Sequence, residues 1–335
     1  MENFELAIPG TISEAIALLP EQWDEDGGRS STILAGGQDL LTVLKEGLER
    51  PEMLVHLRGV KGLGGVEVAA DGSLKLGAML RISELANSSL LQGSMAALAE
   101  AAESVGSPQI RNQGTLGGNL CQRPRCWYYR NSEAPCLKKG GYECFAYGGR
   151  NKYNAILGGG PSYIVHPSDL APALVMMDAA LVCQSPRGER RIELADFYTL
   201  PADSDVTRET VLASDEIISR VEVPSLPEGM ATAYMKARER GSFDFALSAV
   251  ALGLTVRGGV IRECRLVLGS VAPTPWRCLA AEKLAVGRAN NEETWAAVAE
   301  AALEGAEPLS ENGYKIPLTK GLIEKAMRKL AGEDR

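Results

Sequence analysis

Residues 111–130 read RNQGTLGGNLCQRPRCWYYR. A Gly117-Gly118 turn fit to hold a phosphate leads straight into Cys121, the first of four closely spaced cysteines. Glycines let backbone N–H groups approach a pyrophosphate, and a helix N-terminus behind the turn adds a favourable dipole. On this reading a Cβ branch at Gly117 would intrude where backbone must meet phosphate. Thiol-rich sequence beside such a turn points to redox chemistry with a nucleotide cofactor, and raises an iron-sulfur cluster as a second expectation.

A second turn of the same kind lies upstream. Ser31–Ala35 (STILA) reads as a short buried strand, Gly36-Gly37 breaks it, and Asp39–Leu48 has helical periodicity. Neither turn matches the G-x-G-x-x-G or P-loop pattern, so each taken singly is also readable as an ordinary tight turn.

Cys121, Cys126, Cys136 and Cys144 are separated by four, nine and seven residues. That is neither the paired C-x2-C of a zinc ribbon nor the tight run of a bacterial ferredoxin. They lie in a segment, 121–162, with no sustained period. It carries seven basic residues (Arg123, Arg125, Arg130, Lys138, Lys139, Arg150, Lys152) against two acidic ones (Glu133, Glu143). A structureless loop of this length is functional or held by something other than an apolar core. The remaining alternative is a surface loop of reduced thiols. Cys183, Cys264 and Cys278 read as structural.

The rest of the chain bounds the function. With 335 residues, 45% hydrophobic and 23% charged, it reads as a soluble globular protein of two or three domains. A net charge of −8 argues against a nucleic-acid surface. No apolar window reaches membrane-spanning length, and MENFELAIPG lacks the pattern of a signal peptide. Seven cysteines, an odd number, fit a reducing, cytoplasmic setting better than a disulfide framework. Only His56 and His166 could serve a triad or a histidine zinc site.

Local signals place the motifs. Thr11–Glu14 has capping-box spacing, and Asp71-Gly72 marks a hairpin between Val66–Val68 and Leu74–Leu76. Ile82–Ala102 is expected to be helical, as is Leu170–Ala179, with a strand around Leu181–Cys183. Glu216–Val223 alternates as a strand, and Pro224–Gly229 makes a domain boundary. Strands at Phe245–Val256 and Val260–Gly269 precede two or three helices over Ala280–Leu330. Ser168 or Asp169 reads as a helix cap, and Lys236 as a solvated strand lysine.

Five ordered blocks go further: ILAGGQDLL at 33–41, IRNQGTLGGNL at 110–120, HPSDLAPAL at 166–174, EIISRVEVP at 216–224 and YMKARERGSFDFALSAVAL at 234–252. Together they resemble the flavin-binding medium subunit of the molybdenum hydroxylases, the family of xanthine dehydrogenase and carbon monoxide dehydrogenase. The resemblance implies an α+β fold. It comprises a vanillyl-alcohol-oxidase (PCMH)-type FAD-binding domain of two lobes over 1–224, and a smaller C-terminal α+β domain over 230–333. It implies FAD contacts from Ile33, Leu34, Ala35, Gly36, Gly37, Gln38, Asp39 and Leu40, from Val105, and from Thr115, Leu116, Gly117, Gly118 and Asn119. Asp169 would bind toward the flavin end, Ile218 would pack near the ring system or adenine, and Lys236 would contact the cofactor.

The cysteine-rich segment resembles that of a subgroup including 4-hydroxybenzoyl-CoA reductase, where it carries a [4Fe-4S] cluster. Three ligands match Cys126, Cys136 and Cys144. The fourth position holds Ser162, leaving Ser162, Cys121 or no fourth ligand as the alternatives. The implied role is electron transfer by FAD between partner iron-sulfur clusters and NAD+, oxygen or another carrier. The implied partners are a large molybdenum-cofactor subunit and a small [2Fe-2S] subunit, in a heterotrimer or its dimer. No acid–base catalytic residue is expected. Competing expectations are a stand-alone flavin-dependent oxidoreductase, and a flavin-free scaffold that docks partners through its basic loop.

Overall fold

In the computed structural model, which describes residues 1–22 and 30–332, three sheets follow one another along the chain. The first is small and wholly parallel. β1 (Glu5–Ala7) leads to α1 (Ile12–Ile16), then β2 (Ser31–Leu34), α2 (Leu40–Lys45) and β3 (Met53–His56), with β3 central in the order β1-β3-β2. α1 starts where expected: Glu14 N donates to Thr11 Oγ1, and Thr11 N donates back to Glu14 Oε2, both at 3.2 Å. α2 is shorter than its periodicity, because Gly47 turns the chain out at φ +70°.

The second sheet is antiparallel, in the order β4-β5-β8-β6-β7. β4 (Val66–Val68) and β5 (Leu74–Gly77) form the hairpin at Asp71-Gly72, with Gly72 at φ +83°. The helix expected over Ile82–Ala102 is two helices, α3 (Ile82–Ala86) and α4 (Ala96–Ser104). Ser88 Oγ accepts from Leu90 N between them, and Gly93 reverses the backbone at φ +60°. Next come α5 (Pro108–Gln113) and α6 (Leu116–Leu120), then the cysteine-rich segment with its short turns α7 (Trp127–Arg130) and α8 (Phe145–Gly148). α9 (Leu170–Met176) stops before Asp178, which takes φ +53°, and feeds β6 (Ala180–Ser185), β7 (Gly188–Glu193) and β8 (Ile217–Val223).

The third sheet holds β9 (Met230–Ala237), β10 (Ser248–Arg257), β11 (Val260–Gly269) and β12 (Trp276–Arg277), in the order β12-β11-β10-β9. Three helices cover it: α10 (Leu279–Ala285), α11 (Glu292–Ala302) and α12 (Lys315–Leu330). β10 is buried on both faces, and its two-residue period divides the cores. Ala249 and Ala251 join the core that contains Leu174 and Leu181, whereas Val250, Leu252 and Leu254 pack with Trp295, Ile323 and Met327. The third sheet is thereby welded to α9, and residues from all three sheets reach one groove. Among the described residues no helix is long and apolar enough to cross a membrane.

Candidate functional site: an open glycine turn in a dinucleotide-sized groove

The groove has a volume of about 430 Å³, within the roughly 300–1,000 Å³ usual for small-molecule and cofactor sites. Every residue expected at the cofactor lines it except Leu34 and Leu116. Leu116 is instead fully buried in the central core. The β2–α2 turn forms one wall. Gly36 is glycine because a Cβ there would lie 2.1 Å from the Gln113 carbonyl oxygen, and Gly37 because its φ is +72°.

The backbone N–H groups of Gly36, Gly37, Gln38 and Asp39 donate to no acceptor among the described residues. Four successive unpaired donors at a groove wall are a cradle for an anion. The residues present therefore fit a pyrophosphate.

The second glycine turn differs. Leu116 N donates to Leu80 O, Gly117 N to Ala78 O, Gly118 N to the Thr115 hydroxyl and Asn119 N to Thr115 O, at 2.8 to 3.2 Å. A Cβ on Gly117 would meet Ala78, 3.1 Å from its Cβ and 3.2 Å from its oxygen. Gly117 is glycine for the close packing of α6 on Ala78, just past the end of β5, and the expected intrusion toward a phosphate is not what its geometry shows.

Asp169 is 4% exposed and stands at the N-cap position of α9 without bonding the helix through its side chain; the Ser168 hydroxyl does that instead, accepting from Ala171 N at 3.0 Å. Instead Asp169 accepts from the Tyr234 hydroxyl at 2.8 Å and from Lys236 Nζ at 2.7 Å. Lys236 is thus a buried, paired cation rather than a solvated one. Burial, with the Asp169 charge beside it, holds the Tyr234 phenol far above its ordinary pKa, so it remains a proton donor. Ser168 also donates to Asn119 Oδ1 at 2.6 Å, tying this corner to the second turn.

The basic charge of the cysteine-rich segment is neutralised by the body. Arg123 pairs with Glu49 and Glu209, Lys138 with Glu209, and both Arg125 and Arg130 with Asp39, at 2.8 to 3.0 Å. Arg150 pairs with Glu311 and Lys152 with Glu239. The segment is bolted to the first two sheets and to the C-terminal region. A basic docking face, as the scaffold reading requires, loses its charge to these pairs.

The four cysteines do not form one ligand set. Cys121 ends α6, packs against the central core, and lines the groove within electrostatic reach of Cys183 and Tyr198. Its chain neighbour Leu120 is fully buried, so Cys121 belongs to the body rather than the loop. Cys126 and Cys144 each lie within electrostatic reach of Cys136, whose thiol is pushed up mainly by burial. Among the described residues, no three His, Cys, Asp or Glu side chains come together to hold a single metal ion.

Arg123, Arg125, Phe243 and Phe245 also line the groove, and no sequence signal had assigned them there. Two lie just past the second glycine turn and two inside the last quoted block, where proximity to a motif was the available clue.

A model of the FAD binding domain in molybdopterin dehydrogenase matches residues 2–226, and one of the CO dehydrogenase flavoprotein C-terminal domain matches 232–330. The chain belongs to this family of FAD-binding dehydrogenase subunits. It is 37% identical over 290 residues to the aldehyde oxidoreductase FAD-binding subunit PaoB of Escherichia coli K12, covering 86% of this chain and 87% of that one. It is 28% identical over 333 residues to the carbon monoxide dehydrogenase medium chain of Hydrogenophaga pseudoflava, covering 97% and 96%. The fold matches carbon monoxide dehydrogenase from H. pseudoflava with a TM-score of 0.77 at 24% identity, covering 100% of this chain and 99% of that chain. An FAD-binding subunit of a molybdenum hydroxylase-type oxidoreductase, with the expected α+β architecture, is what the sequence blocks implied.

Proposed function

We propose that the groove holds FAD with its pyrophosphate over Gly36–Asp39 and its flavin end toward Asp169, Tyr234 and Lys236. The chain then passes electrons between a partner's iron-sulfur clusters and NAD+, oxygen or another carrier. The observation that carries this reading is the run of four unpaired backbone N–H groups in a groove of cofactor size. Bound FAD supplies both one- and two-electron exchange. The chain's own residues bind and orient. Asp169 is held by two donors as a fixed acceptor, and Tyr234 stays protonated, so neither is poised for general acid–base work on a substrate.

Relatives named as a medium chain and as FAD-binding subunits support assembly with other chains. The partners we propose are a large molybdenum-cofactor subunit and a small [2Fe-2S] subunit. Pro224–Gly229 is our boundary between the FAD-binding and C-terminal domains.

For the cysteine-rich segment the finer proposal is a [4Fe-4S] cluster on Cys126, Cys136 and Cys144. The specific observation in its favour is Ser162 Oγ, 1% exposed and without a hydrogen-bond partner among the described residues. Ser162 adjoins Tyr163, whose carbonyl accepts from Asn154 Nδ2, the same nitrogen that contacts Cys126 Sγ at 3.7 Å. A four-iron cube spaces its ligands farther apart than a single ion does, and Ser162 is the candidate fourth ligand.

The test is the visible spectrum of anaerobically purified chain, with flavin and iron quantified together. One FAD with about four irons per chain supports both proposals. FAD without iron removes the cluster and keeps the electron-transfer subunit. A colourless chain that FAD cannot reconstitute overturns the main reading.

A further inference from the structure

Of the two arginines that the cysteine-rich segment brings to the groove, one is fully engaged. Arg123 is held by Glu49 and Glu209. Arg125 is anchored but keeps part of its fork available. Its Nη2 donates to Gln122 Oε1 at 3.3 Å and lies 2.9 Å from Asp39 Oδ1. Its guanidinium carbon stands 4.7 Å from the centre of the Phe245 ring. Nη1 makes no hydrogen bond among the described residues, and the side chain keeps 24% of its surface exposed.

The anchor is itself informative. Asp39 closes the open glycine turn, and its single carboxylate serves three donors of the cysteine-rich segment: Arg123 N at 2.7 Å, Arg125 at 2.9 Å and Arg130 at 2.8 Å. One negative charge is shared between two guanidinium groups, directly beside four unpaired N–H donors. A guanidinium fixed on one edge by a carboxylate and on one face by an aromatic ring loses little freedom when it binds. Its planar fork also matches phosphate oxygens.

We propose that Arg125 contacts the pyrophosphate of FAD directly, so that the cysteine-rich segment supplies part of the cofactor site. The proposal rests on the reading of this groove as the FAD site. It makes Arg125 a binding residue and Asp39 the positioning residue that aims it.

The test titrates flavin-stripped wild type, Arg125→Gln, Arg125→Lys and Asp39→Asn with FAD and with riboflavin. Flavin fluorescence is followed at low and high salt, with urea midpoints confirming that each variant is folded. Arg125→Gln should raise the FAD Kd about tenfold or more and flatten its salt dependence, with the riboflavin Kd unchanged, because riboflavin carries no phosphate. Arg125→Lys should fall between, keeping charge and losing the fork. Asp39→Asn should weaken FAD less than Arg125→Gln does. Wild-type FAD affinity in Arg125→Gln overturns the proposal. So does an equal loss of FAD and riboflavin in Arg125→Gln and Asp39→Asn, which would mean that the pair only holds the segment in place. Failure of wild type to bind FAD would instead overturn the reading of the groove.

Discussion

The Gly36-Gly37 and Gly117-Gly118 turns touch, and they use their backbone donors in different ways. Gly36 packs on the Gln113–Gly114 backbone that leads into the second turn, and a Cβ on Gly118 would lie 3.8 Å from Ala35. In the first turn the N–H groups of four successive residues have no partner among the described residues, while in the second the donors are taken by Leu80, Ala78 and Thr115. Both need glycine because another backbone or side chain comes close, and only one also offers amides to a ligand. A Gly-Gly pair after an apolar strand is therefore evidence of close packing first. Its value as an anion site depends on where its donors go.

That contrast can be broken most forcefully at Gly36. Gly36→Ala places a Cβ against the Gln113 carbonyl, and we expect a loss of about 3 kcal/mol in stability together with loss of FAD from the folded fraction. Urea unfolding and flavin content measure the two effects; a variant with normal stability and bound FAD would remove the packing argument.

Acid should act on the second turn. His166 is fully desolvated, and burial lowers its pKa to about 3. Its Nδ1 accepts from Ser168 N at 3.4 Å, and Ser168 in turn bonds Asn119. The folded ring stays neutral while the unfolded one protonates below about 6.5, so the unfolded state binds more protons and stability falls as pH drops. The loss should reach about 2 kcal/mol at pH 5. Comparing urea midpoints at pH 7 and pH 5 in wild type and His166→Gln checks this; an equal pH dependence in both would exonerate His166.

Thr115→Ala removes the hydroxyl that accepts from Gly118 N and should cost about 1 kcal/mol, read from the urea midpoint. Gly117→Ala is the smallest expected change. Its Cβ needs Ala78 to yield by a few tenths of an ångström, which helix propensity offsets, leaving stability within about 1 kcal/mol of wild type. A Gly117→Ala protein that is stable but cannot take up FAD would mean that the second turn, too, presents itself to the ligand.

Local chemistry was legible in the chain. The Thr11–Glu14 capping box, the Asp71-Gly72 hairpin and the alternation of Ile217–Val223 all formed where the residues indicated, because each depends on neighbours a few positions away. The five blocks brought Gly36, Asn119, Asp169, Ile218 and Lys236 to one groove. What could not be read was the use of charge and donors at long range. Lys236 looks solvated until Asp169, from another element, is seen beside it, and Arg150 looks like part of a basic surface until Glu311 arrives from the C-terminal region. Cys121 looked like a member of the loop because spacing says nothing about which side of Leu120 the core ends. The break between Ala86 and Ala96 was hidden by an alanine- and leucine-rich pattern, while Ser88 and Gly93 decided the backbone.

The most direct test of the central claim is a titration of flavin-stripped chain with FAD, run side by side for wild type, Gly36→Ala and Gly117→Ala. We expect saturation at one FAD per wild-type chain, near-normal uptake by Gly117→Ala, and none by Gly36→Ala. No saturable binding by wild type, or equal binding by both variants, would contradict it.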